Sequence, residues 1–269
     1  MTRFILALIV AVGIAVPAAM PSQAREICTL ILDASTGEAL LERGDCTTPV
    51  TPASTFKIPL ALIGFDSGVL VGPQTPELAF TPGDPDWGDR WTENTDPSDW
   101  MRYSVLWYSQ RITHALGAAT MTDYLRAFNY GNADMSGDAG FDNGLERAWV
   151  SSSLAISPRD QAAFLVKLLA RDLPVSTAAH ENTFAIIDAY PAADGWTLRG
   201  KTGGAYPRNA DRSFDYTAGW GWFVGWAERD GRTVVFAQLN QDRTRLSGSP
   251  GTRARDAFIA AWPELEAAL

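Results

Sequence analysis

The sequence predicts an α/β protein of the α+β type, in which both ends of the chain build one antiparallel β-sheet around an inserted helical lobe. Segments rich in β-branched and aromatic residues lie near the two ends, at residues 27–43 and 196–240. Residues 51–190 between them show mainly helical spacing and loop residues. Because two strands alone are only marginally stable in water, the N-terminal strands are expected to join the C-terminal strands in one sheet.

Turn signals separate the predicted strands. A hairpin is expected over residues 28–43, and Asp230-Gly231 predicts a tight turn between strands at 217–228 and 232–240. The chain is expected to end in a helix over residues 252–268.

The predicted elements divide the chain into two lobes. We expect residues 25–50 and 195–269 to form the sheet-containing lobe, flanked by the terminal helix, and residues 51–194 to form the all-helical lobe. A functional site is expected between the lobes.

Three helices of the inserted lobe have recognisable ends. The segment from Ile58 to Val69 is apolar and helical, and the segment from Trp100 to Leu116 is expected as one helix closed by Gly117. Ser157 is expected to cap a helix that begins at Pro158 and runs to about Ala170.

The first 24 residues have the pattern of a signal peptide. Arg3 precedes an apolar run from Phe4 to Val16, and Ser22-Gln23-Ala24 is a small-x-small cleavage site. The run is too short for a membrane span, so we predict cleavage after Ala24 and a periplasmic or secreted protein. The net charge of −9 argues against nucleic acid and anionic membranes as partners.

Cysteine and histidine are scarce. Cys28 and Cys46 flank the N-terminal hairpin and predict a disulfide in an oxidising compartment, with two buried free thiols as the alternative. His114 and His180 are too few and too isolated to indicate a metal site or a Ser-His-Asp triad, so no metal is expected.

Ser54 and Lys57 are the first candidate catalytic pair. Positions i and i+3 of a helical turn share one face, and the residues that follow are apolar. A serine hydroxyl needs a neighbouring base to become a nucleophile, and a lysine kept dry by apolar neighbours loses its permanent charge. The alternative is an N-cap serine beside a solvated lysine. Pro59 lacks an N–H and predicts a tight or irregular first turn.

Further polar clusters occur along the chain. Lys201 and Thr202 end a predicted strand beside Gly203 and Gly204, and these glycines let a ligand approach the backbone closely. The lysine cation and the threonine hydroxyl can there bind a carboxylate of the ligand. The alternative is a solvated lysine at the edge of the sheet. Ser104 is a candidate site residue, but its hydroxyl could instead bond the backbone of its own helix. Trp149 is a candidate as well, with an ordinary core residue as the alternative. The segment Tyr130-Gly131-Asn132 has the alternative of a simple turn.

Taken in this order, the residues resemble the class D β-lactamases, the oxacillinases, over almost the whole chain after the signal peptide. The resemblance rests on these segments: Ser54-Thr55-Phe56-Lys57-Ile58-Pro59, Ser104-Val105-Leu106, Tyr130-Gly131-Asn132, Trp149 with Leu154-Ala155-Ile156-Ser157, Lys201-Thr202-Gly203, and the Trp- and Gly-rich strand Ala218–Trp226. Each segment is short, but the ordered set is highly specific. It implies a β-lactamase/transpeptidase-like fold and hydrolysis of penicillins and cephalosporins without a dissociable cofactor.

The resemblance also implies catalytic roles. Ser54 would be acylated by the β-lactam carbonyl, and Lys57 would carry a carbamate formed from CO2 that acts as general base in acylation and deacylation. Trp149 would hydrogen-bond this group. Ser104 would relay a proton to the leaving nitrogen, with Lys201 in the same catalytic set.

Substrate binding is implied for a second group of residues. The backbone N–H groups of Ser54 and Gly204 would form the oxyanion hole. Lys201, Thr202 and an arginine of the last helix would orient the substrate carboxylate. Arg255 is the favoured arginine, because Phe258 and Trp262 follow at helical spacing and can face the sheet, and Arg253 is the alternative.

One residue departs from the family pattern. Leu106 stands where the family usually has a valine that lies over the modified lysine and limits water access. Two functional alternatives share the Ser-x-x-Lys pair: a β-lactam-sensing domain that acylates without turnover, and a penicillin-binding DD-peptidase.

Overall fold

The expected sheet with a helical insertion is present in the computed structural model, which describes residues 24–269. The predicted signal peptide lies outside the described residues, except for Ala24. The strands are β1 (Ala24–Asp33), β2 (Ala39–Gly44), β3 (Ala189–Pro191), β4 (Thr197–Ala205), β5 (Trp220–Arg229) and β6 (Arg232–Asp242). The helices are α1 (Lys57–Asp66), α2 (Pro97–Tyr103), α3 (Leu106–Phe128), α4 (Gly144–Arg147), α5 (Pro158–Ala170), α6 (Thr177–Ile186) and α7 (Pro250–Glu266).

The sheet has the strand order β2-β1-β6-β5-β4-β3, and every neighbouring pair is antiparallel. The N-terminal strand β1 therefore lies beside the C-terminal strand β6, as the sequence predicts. The turn at Asp230-Gly231 joins β5 to β6. The predicted disulfide is present between Cys28 and Cys46, whose Cα atoms are 5.0 Å apart, and it ties β1 to the segment after β2.

Two hydrophobic cores lie on opposite sides of the sheet. The larger core fills the space between the sheet and the helical lobe and includes Phe56, Trp149 and Trp222. The smaller core lies under α7, where Phe258 and Trp262 pack against the sheet. Both aromatic residues of α7 thus face the sheet, as their helical spacing predicts.

Helix α1 lies at the centre of the larger core. Nine of its ten residues are buried, and only Asp66 at its end is partly exposed. A helix that is apolar on all sides packs against neighbours on all sides. This position places the first residue of α1, Lys57, in the interior of the protein.

Several helix boundaries differ from the predictions. The segment 100–116, expected as one helix, is interrupted at Ser104, which has left-handed backbone angles (φ 61°, ψ 33°) between α2 and α3. Gly117, which was expected to close this helix, has a non-helical backbone (φ 78°) and kinks α3, which continues to Phe128. Helix α5 begins and ends as predicted, with the Asp160 N–H donating to Ser157 Oγ at 3.1 Å. Strand β3 and helix α6 were not individually predicted.

Candidate active site

Ser54 lies in a tight 3-10 turn that leads directly into α1. The turn spans Ala53–Phe56, and Ala53 has a left-handed backbone (φ 51°), which is strained for a residue with a Cβ. The tight first turn predicted from Pro59 is therefore observed. The turn exposes Ser54 at the surface of a cleft while Phe56 and Lys57 enter the core.

A buried chain of hydrogen bonds supports this turn from below. The Tyr130 hydroxyl donates to Gln161 Oε1 at 3.3 Å, and Gln161 Nε2 donates to Thr55 Oγ1 at 2.7 Å. Thr55 Oγ1 in turn donates to the Pro52 carbonyl at 2.7 Å. Burial raises the pKa of Tyr130, so the phenol keeps the proton that it donates. This chain of hydrogen bonds holds the backbone on both sides of Ser54.

Lys57 is a buried amine without a partner. Its side chain is 1% exposed, and Nζ makes no hydrogen bond to any described residue. Nζ lies 6.0 Å from the centre of the Trp100 ring. Burial, and secondarily the positive charge of Lys201, hold the pKa of Lys57 well below its ordinary value. Burial therefore favours the neutral amine relative to an exposed lysine.

Lys201 is buried on the other side of the cleft, but it has partners. Its Nζ donates to Ser104 Oγ at 3.2 Å and to the Thr202 carbonyl at 3.3 Å. Burial lowers the pKa of Lys201 to about 8, with Asp188 opposing the shift and Arg255 adding to it. The left-handed backbone at Ser104 turns this serine out of the helical path, where its hydroxyl meets Lys201.

These side chains meet in a cleft of about 800 Å³ between the helical lobe and the sheet. Of the predicted site residues, six line the cleft together with Lys201: Ser54, Ser104, Leu106, Thr202, Gly204 and Arg255. Helix phase separates the two candidate arginines. Arg253 lies outside the cleft and pairs with Asp242 at 2.5 Å, whereas Arg255 lies in the cleft over the Tyr190 ring at 5.1 Å.

Gly203 lies behind the cleft lining, against the Ser54 turn. A Cβ at this position would lie 2.8 Å from the Pro52 carbonyl oxygen and 3.1 Å from Thr55 Cγ2. A side chain would push β4 away from the turn. The glycine therefore allows the strand that carries Lys201 to pack closely on the segment that carries Ser54.

The remaining predicted residues support the site rather than line it. Trp149 is buried and stacks on Phe56 with ring centres 5.2 Å apart. Asn132 Nδ2 donates to the Ser153 carbonyl at 2.8 Å. Gly131 has φ 55°, and its Cα approaches the Ala155 carbonyl so closely that a Cβ would clash. This segment is thus a turn fastened to the segment after Trp149.

Sequence reasoning missed several residues of the cleft. Arg102 on α2, Asp188 before β3 and Tyr190 in β3 line the cleft beside Lys201. Trp87, which is 66% exposed, stands at its mouth with its ring centre 5.8 Å from that of Trp91. No motif marks these positions; only the pairing of β3 with β4 and the path of the loop before α2 bring them to the site.

Residues 24–269 contain neither a cluster of metal-ligating side chains nor a helix suited to a membrane. No three His, Cys, Asp or Glu side chains come together there in a way that would hold a metal ion. None of the helices in the same part of the chain has the length and apolar character needed to cross a bilayer.

Comparison with known proteins finds extensive similarity. The family model described as penicillin binding protein transpeptidase domain matches residues 27–260. β-Lactamase OXA-9 of Klebsiella pneumoniae is 43% identical over 239 residues, which is 88% of this chain and 87% of that protein. β-Lactamase OXA-1 of Escherichia coli is 36% identical over 238 residues, which is 87% of this chain and 81% of that protein. The crystal structure of the class D β-lactamase OXA-427 aligns with a TM-score of 0.82 and 47% identity, covering 90% of this chain and 99% of that chain.

Proposed function

The chain belongs to the class D β-lactamases, and we propose that it hydrolyses β-lactam antibiotics through an acyl-enzyme formed on Ser54. The observation that carries the proposal is the buried, unpartnered amine of Lys57, three residues from a serine that opens onto a cleft. An amine in this state costs stability and makes no structural contact that would explain it. Its burial is explained if the amine is chemically used.

The surroundings of Lys57 fit carboxylation by CO2. Only a neutral amine attacks the carbon of CO2, forming an N–C bond and releasing a proton, and burial keeps this amine neutral. The resulting carbamate supplies a general base for the Ser54 proton and for the deacylating water. Trp149 and Ser54 are the residues proposed to hold it, and Leu106 limits the space above it.

Ser54 Oγ attacks the β-lactam carbonyl carbon, and the lactam C–N bond then breaks to leave an ester on the serine. The backbone N–H groups of Ser54 and Gly204 stabilise the oxyanion of the tetrahedral intermediate. The leaving nitrogen takes its proton from Ser104, which is replenished by the Lys201 ammonium that donates to it. The proton that the carbamate took from Ser54 then restores the Lys201 ammonium, so the carbamate is again a base for the deacylating water.

The substrate carboxylate is bound at the sheet side of the cleft. Lys201, Thr202 and Arg255 line this side and provide two cations and a hydroxyl donor. Penicillins and cephalosporins carry such a carboxylate next to the lactam ring. This arrangement orients the lactam carbonyl towards Ser54. No dissociable cofactor is required.

The same proposal places the mature enzyme outside the cytoplasm. The signal peptide predicted at residues 1–24 would direct export to the periplasm, and the mature chain would begin at Arg25. N-terminal sequencing of the exported protein tests this, and a chain that still begins at Met1 would contradict it.

Steady-state hydrolysis of a chromogenic cephalosporin, with and without added bicarbonate, tests the function. We expect many turnovers per enzyme molecule, enhanced by bicarbonate, and loss of both in Ser54→Ala and Lys57→Ala. Lys167 is the only lysine of the sequence besides Lys57 and Lys201. It lies on α5 outside the cleft, so Lys167→Ala is the matched control and is expected to leave the rates unchanged. One stoichiometric burst without turnover would instead indicate a sensor or a peptidase.

A further inference from the structure

An ion pair in the cleft has no part in the mechanism proposed above. Arg102 Nε on α2 donates to Asp188 Oδ1, just before β3, at 3.2 Å. The pair connects the helical lobe to the sheet beside Lys201, and both of its members line the cleft. A carboxylate here requires an explanation, because the substrate that enters the cleft carries a negative charge of its own.

The backbone fixes the position of Asp188 relative to Lys201. The Gly200 N–H donates to the Asp188 carbonyl at 3.3 Å, which extends the pairing of β3 with β4 by one residue. Asp188 is therefore held opposite the residue that immediately precedes Lys201. The Arg102 guanidinium fixes the other end of the side chain, and only 23% of the Asp188 side chain is exposed.

The other described groups that bond or act on Lys201 are a hydroxyl, a carbonyl and positive charges. Lys57 faces it from α1, Arg255 faces it from α7, and Ser104 meets it from the segment between α2 and α3. Asp188 is the acidic group that acts on Lys201 and opposes both burial and Arg255. Arg255 lies over the Tyr190 ring at 5.1 Å, and the charge of Asp188 adds to burial in raising the pKa of Tyr190.

We propose that Asp188 is a positioning residue whose carboxylate, placed by the pairing of β3 with β4, keeps the Lys201 ammonium protonated in the cleft. This inference rests on the proposed function, because that function requires Lys201 to donate a proton through Ser104 and to bind a carboxylate. Asp188 touches neither Ser54 nor the reacting atoms and acts only through Lys201.

The two ends of the ion pair have opposite electrostatic effects on Lys201. Removing the negative charge in Asp188→Asn lowers the pKa of Lys201, so activity is lost at a lower pH on the alkaline side. Removing the positive charge in Arg102→Gln leaves the Asp188 carboxylate in place. The alkaline limb of the pH–activity profile is then expected to stay where it is or to move to higher pH. A purely structural bridge predicts the same effect from both variants, because each breaks the same contact.

The test is the pH profile of kcat/KM for a penicillin, measured at saturating bicarbonate so that the state of Lys57 is the same in all variants. We expect the alkaline limb of Asp188→Asn to move down by about one pH unit, within the range that an opposite charge produces. Asp188→Glu restores the charge and is expected to restore the limb. Thermal unfolding of each variant reports any loss of the folded state.

Each outcome decides the inference. An unchanged limb in Asp188→Asn, or equal downward shifts in Asp188→Asn and Arg102→Gln, overturns it. A wild-type enzyme that turns over without an alkaline limb also overturns it and leaves hydrolysis intact. A wild-type enzyme that does not turn over instead overturns the proposed function itself.

Discussion

Replacing Lys57 by methionine tests the buried amine most directly. Methionine has a similar length, is unbranched and fills irregular space in a core, so Lys57→Met removes the amine with little change in packing. The amine has no hydrogen-bond partner among residues 24–269. We therefore expect the variant to lose turnover and to become more stable than the wild type in CO2-free buffer.

The expected gain in the free energy of unfolding equals the cost of an unsatisfied buried donor, which is about 1–3 kcal/mol. For a chain of this size, that corresponds to a rise in Tm of roughly 2–12 °C. The gain depends on pH, because the pKa of Lys57 is lowered in the folded state from its ordinary value of 10.5. The cost of the unsatisfied donor is present at every pH. The additional penalty for keeping the amine uncharged is absent above pH 10.5, grows as the pH falls towards the folded-state pKa and then stays constant.

Calorimetry at several pH values, with and without bicarbonate, measures the effect. Carboxylation removes the free amine from the wild type, so bicarbonate is expected to narrow the gap between the two proteins. Lys201→Met is the matched control and is expected to gain less, because it also loses the hydrogen bonds to Ser104 and Thr202. With ¹³C-bicarbonate, a carbamate signal should vanish in Lys57→Met and persist in Lys167→Met. A Lys57→Met variant that is less stable under every condition would refute this reasoning.

Three further predictions concern single features of the fold. Leu106→Val removes about one methylene from the space proposed to lie over Lys57. The bicarbonate concentration for half-maximal activity is expected to change severalfold, while KM stays within about twofold. Identical bicarbonate titrations of the two proteins would contradict this. Trp87→Ala removes an exposed ring at the cleft mouth, and KM for penicillins with an aromatic side chain is expected to rise about 2- to 10-fold. Val71→Ala, which removes another exposed apolar side chain outside the cleft, should leave KM unchanged, and an equal rise for a penicillin with a small side chain would argue against an aromatic contact. Replacing Cys28 and Cys46 by serine reopens a short loop and is expected to lower the free energy of unfolding by about 3 kcal/mol, which lowers Tm by roughly 6–12 °C. An unchanged melting curve would show that the disulfide adds no stability.

Features with local causes were predictable from the sequence. The start of α5 depends on Ser157, Pro158 and one capping hydrogen bond, all within four residues. The disulfide follows from a hairpin that brings its two ends together. The antiparallel sheet itself follows from strands at both chain ends that need partners, and it is confirmed.

Features that depend on distant contacts were not predictable. Helical spacing continues across Ser104, and no glycine or proline marks the break. The left-handed backbone there is explained by Lys201, 97 residues away, which holds the turned-out hydroxyl. Strand β3 is only three residues long and is defined by its pairing with β4. Asp188 and Tyr190 reach the cleft through that pairing.

Within the site, motifs identified the reactive side chains but not their support. Ser54, Ser104 and Lys201 were expected together, and all three line one cleft. The support of the Ser54 turn comes from Gln161, on the buried face of α5, where a glutamine amide carries no sequence signal. Such a residue becomes visible only when its hydrogen-bond partners are known.

The two buried lysines show why the cleft needs this support. A base must be unprotonated and a proton donor must be protonated, yet burial lowers the pKa of both amines, and the charge of Lys201 lowers the pKa of Lys57 further. Lys57 has no partner, whereas Lys201 has a hydroxyl, a carbonyl and the nearby Asp188 carboxylate. The difference in surroundings, rather than in residue type, is thus the basis of the opposite roles that we propose for two identical side chains. Removing the charge of Asp188 would leave Lys201 with its hydroxyl and carbonyl partners, and it is expected to weaken the proposed acid while leaving the proposed base unchanged.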